Sequence, residues 1–137
     1  MVWENRIPIS SQKKAGGKIA LFTNISPITN RGSMMKKEAD VKKRVKEILK
    51  DLGAWYYMPV PTGYGVQGIP DFIVCYHGLF IAIETKFGGN KCSKWQEIRL
   101  REIDEHGGLA LVIDENNVED VKNALRAWHI TSANRRA

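Results

Sequence analysis

Only two cysteines and three histidines occur among the 137 residues, and no apolar run approaches the roughly 20 residues that span a bilayer. The second shortage excludes a helical membrane protein. Cys75 lies in an apolar, strand-like run and Cys92 in a polar turn, with no CxxC spacing anywhere. That pattern argues against a structural zinc site and more strongly against a disulfide framework. The first residues also lack the short apolar core of a secretory signal, so the expected location is intracellular, in the cytoplasm. The histidines offer little chemistry: His77 reads as a turn residue, His106 as a helix end and His129 as a tail residue.

What is present is ordinary globular composition, 43% hydrophobic and 26% charged, enough for one domain with a modest core. The net charge of +6 suggests a polyanionic partner, but residues 1–33 carry +4 of it. More telling is the run Lys36, Lys37, Lys42, Lys43, Arg44, Lys46 and Lys50 within one expected helix. Such a helix can track a phosphate backbone, with Lys42 and Lys43 as candidate DNA contacts; a solvated helix face accounts for the same run.

Residues 1–33 are rich in Ser, Asn, Gly and Lys and end at Gly32-Ser33-Met34, so they read as an irregular arm or an expression leader. From Lys36 the pattern becomes regular. Val41, Val45, Ile48, Leu49 and Leu52 recur at helical spacing up to a stop at Gly53. Ala54 to Met58 reads as a strand, Thr62 to Gly68 as a glycine-bearing loop, and Phe72–Tyr76 with Leu79–Lys86 as a hairpin across His77-Gly78. A helix from Ser93 to His106, a buried strand from Leu109 to Ile113 and a last helix marked by Val118, Val121, Leu125 and Trp128 follow. The order α-β-β-β-α-β-α implies an α/β domain over residues 34–130, a mixed sheet flanked by helices, with residues 131–137 a frayed tail. Trp55, Tyr56, Trp95 and Trp128 read as core or dimer contacts rather than a row for stacking bases.

The chemistry concentrates in Gly68-Ile69-Pro70-Asp71 and Glu84-Thr85-Lys86. Residues two apart on a strand share a face, so Glu84 and Lys86 project together and Thr85 points away. Hairpin pairing places Asp71 opposite the far end of the second strand, beside them. A carboxylate and an ammonium leaving an apolar strand are costly unless they pair or bind something. Their convergence suits phosphodiester cleavage with a hard divalent cation: Asp71, Glu84 and the Thr85 carbonyl as ligands, Lys86 orienting the water or stabilising the developing oxyanion. An edge salt bridge between Glu84 and Lys86 is the bland alternative.

These residues resemble the core of the PD-(D/E)xK nuclease superfamily. Within it, the helix-borne acidic residue, Gly68-Ile69-Pro70-Asp71, the hairpin, Ser93-x-x-Gln96 and the late Gly107-Gly108 are similar to the virus-type replication-repair nuclease family. The resemblance covers about residues 36–128. It implies a restriction-endonuclease-like fold and a magnesium- or manganese-dependent, structure-selective DNA endonuclease. Small stand-alone members look like homodimers that resolve four-way junctions. A less selective nickase or flap nuclease, or a non-catalytic DNA-binding module of the same fold, are the alternatives. Two residues carry over. Glu38, on the helix face of Val41 and Val45, falls where the family's first-helix acid supports the metal, although an acid there also suits the helix dipole. Gln96 falls where the family's glutamine meets the catalytic centre, although Ser93-x-x-Gln96 is also a capping box.

Around this core, Tyr64 can stack on a base or sugar and Gly65 can admit a close phosphate, although a flexible connection explains the loop equally well. Ser93, Lys91 and Lys94, at the start of the next helix, are candidate phosphate contacts.

Overall fold

A computed structural model describes residues 34–136; the arm expected over residues 1–33 lies outside the described residues. Helix α1 (Glu38–Asp51) starts where Asp40 Oδ2 accepts the N–H groups of Lys36 and Lys37, at 2.8 and 3.1 Å. Those amides have no partner within the helix, so the carboxylate caps them. Val41, Val45, Ile48 and Leu49 form the buried stripe, and Gly53, at φ +67°, ends the helix as expected.

Strand β1 (Trp55–Tyr57) pairs antiparallel with β2 (Phe72–Tyr76), which turns through His77-Gly78 into β3 (Leu79–Thr85). After helix α2 (Lys94–Glu105), strand β4 (Leu109–Ile113) lies parallel to β3. The sheet order is β1-β2-β3-β4. A 3₁₀ turn (Val118–Asp120) leads into α3 (Val121–Arg136). The protein is thus a mixed α/β domain, a four-stranded mixed sheet with three helices, as expected of a restriction-endonuclease-like fold.

The sheet has two unequal faces. Phe72, Val74, Tyr76, Ile81, Ile83, Leu109, Leu111 and Ile113 face α1 and α3 and form the main core. On the other face, Leu100 of α2 packs on Ala110, with Ile103 and Val112 beside them; the alanine allows the helix a close approach. Strand β3, covered on both sides, therefore reads as a continuous apolar run. Helix α2 spares the β1 side, where Trp55 and Tyr57 stay 64% and 54% exposed.

Of the four aromatics expected at core or dimer contacts, Tyr56 and Trp128 pack against the core, whereas Trp55 and Trp95 are exposed. The expected tail beyond residue 130 is instead helical: α3 continues to Arg136. No Gly or Pro interrupts it, and a helix already docked through Val121, Ala124 and Leu125 propagates cheaply. Arg135 also lies over the Trp128 ring, at 5.7 Å. His129 is accordingly a helix residue, its ring stacked 4.0 Å from that of His77. Among the described residues no helix is long and apolar enough to cross a membrane.

The loop before Asp71 is held against α2 at Gln67, whose carbonyl accepts from Arg99 Nε at 3.1 Å, and at Gly68. Gly68 has φ +78°, and a Cβ there would lie 2.3 Å from the Trp95 carbonyl carbon. Gly63 has the same φ but open space around it. Gly68→Ala should cost about 2–4 kcal/mol, the left-handed backbone plus a backbone clash, and Gly63→Ala only about 1 kcal/mol. Urea denaturation of the two variants checks the difference.

Candidate active site

The site is set by the hairpin register. Phe72 pairs with Ile83, so the residue before Phe72 on one strand, Asp71, comes beside Glu84 on the other. Asp71 Oδ2 accepts hydrogen bonds from the Thr85 amide, at 3.0 Å, and from the Thr85 hydroxyl. Thr85 is wholly buried, so this carboxylate oxygen is fixed to the neighbouring strand. The Lys86 amide extends the β3–β4 ladder by one bond, to the Ile113 carbonyl at 2.8 Å.

Glu84 is 2% exposed. Its Oε1 accepts from Gln96 Nε2 at 2.7 Å and pairs with Lys86 Nζ at 3.1 Å, so Glu84 and Lys86 do share a face. Its Oε2 is buried and has no hydrogen-bond partner among the described residues. Burial, and then the negative charge of Asp71, push the Glu84 carboxyl up to about 7, against the opposing pull of Lys86.

Gln96 fills both expected roles with its two amide atoms. Its Oε1 accepts the Ser93 N–H at 2.8 Å while Ser93 Oγ accepts the Gln96 N–H, completing the capping box of α2. Its Nε2 is left to donate to Glu84. The cap therefore fixes the side chain that steadies the carboxylate.

Glu38 stands in the first turn of α1, and its partner was not foreseen from sequence. Lys42 Nζ lies 3.0 Å from Glu38 Oε1 and 3.4 Å from Asp71 Oδ1, between the two carboxylates. Sequence reasoning places this lysine on a DNA phosphate; the i, i+4 spacing to Glu38 was legible, but its approach to Asp71 depends on how α1 docks. Desolvation lowers the Lys42 pKa, yet the bond to Glu38 and the charge of Asp71 outweigh it and hold the pKa above its usual value. Arg44, from the same basic run, is likewise engaged within the fold, its Nε and Nη2 on the two Glu119 oxygens at 2.6 and 2.8 Å. Lys43, Tyr64, Gly65, Lys91, Ser93 and Lys94 are exposed.

Among the described residues, no three His, Cys, Asp or Glu side chains form a group that could hold a metal ion. Asp71 and Glu84 nevertheless fit a hard cation that keeps several waters, because both offer oxygen donors and Glu84 Oε2 is a buried acceptor without a donor.

With divalent cations chelated, the stability due to a neutral Glu84 carboxyl is fully present below about pH 4.5 and fades until about pH 7, because the folded chain keeps a proton that the unfolded chain releases. Wild type should therefore lose melting temperature relative to Glu84→Gln between pH 5 and pH 8. Parallel melting curves would show that Glu84 ionises in its ordinary range.

No family model matches the chain, and comparison with curated proteins finds no match either.

Proposed function

We propose that the protein is a divalent-metal-dependent DNA endonuclease of the PD-(D/E)xK type, similar to the virus-type replication-repair nucleases. Its substrate is branched DNA, four-way junctions foremost. The observation that supports this reading is the meeting of Asp71, Glu84 and Lys86 at the ends of two paired strands, with Gln96 on the buried carboxylate. A salt bridge alone would not require a second carboxylate beside a desolvated one, an arrangement that costs stability unless it serves binding.

In this reading Asp71, Glu84 and the Thr85 carbonyl hold magnesium or manganese, with Glu38 in support. The cation supplies an acidified water and charge to offset that building on the phosphate. Lys86, anchored on Glu84, orients the attacking water or donates to a phosphate oxygen as the leaving P–O bond breaks. Gln96 keeps Glu84 Oε1 in place, and Thr85 does the same for Asp71 Oδ2. Exposed Lys43, Lys91, Lys94 and Ser93 meet the flanking phosphates, and Tyr64 with Gly65 approach a sugar or base. Symmetric incision of a junction needs two such centres, which a homodimer supplies; the dimer rests on the family resemblance.

The test is cleavage of a labelled four-way junction, with duplex and flap controls, in magnesium and in EDTA. Asp71→Ala and Lys86→Ala should each lower the rate by about 10²-fold or more, the usual cost of losing a group that stabilises the transition state. Equal cutting of all substrates would indicate a general nuclease, and binding without cutting in either metal a non-catalytic module. Gln96→Glu retains an acceptor for the Ser93 N–H but turns a second carboxylate toward Glu84. It should slow cleavage by about tenfold and, in EDTA, lower the melting temperature, because the cap survives but the Nε2 donor is lost and a further carboxylate meets the buried Glu84.

A further inference from the structure

The arrangement of Lys42 has a consequence for how the centre is loaded. Asp71 has two carboxylate oxygens, and Oδ2 is committed to the amide and hydroxyl of Thr85. The oxygen left to face another partner is Oδ1, and Lys42 Nζ stands 3.4 Å from it. The same ammonium is 3.0 Å from Glu38 Oε1, so one lysine joins the acid of the first helix to the acid of the hairpin. Lys42 reaches both from a side chain about one-third exposed, which leaves it room to withdraw.

We propose that Lys42 is a built-in counter-ion of this centre: it competes with the divalent cation for Asp71 Oδ1 and withdraws from that oxygen when the cation binds. The inference rests on the reading of Asp71 as a metal ligand and adds a positioning residue that this reading does not require. A dication and an ammonium on one carboxylate oxygen repel strongly at such separations. Cation binding therefore breaks the Lys42–Asp71 pair, leaving the lysine on Glu38. Without the cation, the pair keeps Asp71 from facing Glu84 as an uncompensated charge. Glu38 then has a second role, because it draws Lys42 away from Asp71 and favours loading.

The experiment is a manganese titration without DNA, read by isothermal calorimetry and by melting temperature. Lys42→Met keeps the length of the side chain and removes its charge; it should bind manganese roughly two- to fivefold tighter, the scale of one partly exposed ion pair. Lys42→Arg keeps the charge and should remain near wild type. Lys50→Met, on the last turn of the same helix, controls for loss of positive charge in general and should change little. Equal affinity in wild type and Lys42→Met overturns the inference and leaves the metal-dependent reading standing. No binding in either, with both folded, overturns the inference and that reading together.

Discussion

The pairing of β2 with β3 is the constraint on which the rest of the site depends. A tight turn at His77-Gly78, where His77 itself takes a positive φ, fixes the register, and the register alone brings Asp71 beside Glu84. A slip of one residue would turn Ile81 and Ile83 out of the core and Glu84 into it. The burial of Phe72, Val74, Ile81 and Ile83 on one face and the cluster of charged side chains at the hairpin's far end therefore specify the same alignment. Thr85 strengthens it from the core side, because its buried hydroxyl and amide both bind Asp71.

The cluster built on this register is poorly neutralised where it is most buried. Among the described residues Glu84 has Gln96 and Lys86 on one oxygen and no hydrogen-bond partner on the other, with a second carboxylate close by. Burying such a group opposes folding, and its raised pKa expresses that opposition. The surrounding core carries the cost: β3 is covered on both faces, and α1 docks through four fully or nearly buried side chains. Lys42 and Lys86 divide the compensation, one facing Asp71 from α1 and the other facing Glu84 from the end of β3.

The element order and the pairing of Glu84 with Lys86 were readable because local periodicity carries them: 3.6 for the helices and two for the strands. Gln96 was readable as two competing roles, and one primary amide satisfies both because its oxygen and nitrogen act separately. The last turns of α3 were not readable, since the apolar stripe ends near Trp128 and the helix continues by propagation. For Trp55, read as a core or dimer contact, the core alternative fails because β1 is an edge strand and α2 packs on β4 instead.

By itself the sequence determined the elements, the hairpin register and hence the face on which Asp71, Glu84 and Lys86 meet, because each follows from contacts between residues near one another in the chain. Only the tertiary structure decided where α1 and α2 lie over that hairpin. Helix docking is set by the shape of the whole core, and no local period encodes it. That docking brings Lys42 between Glu38 and Asp71, sets Gln96 against Glu84, and leaves one buried glutamate oxygen without a partner among the described residues.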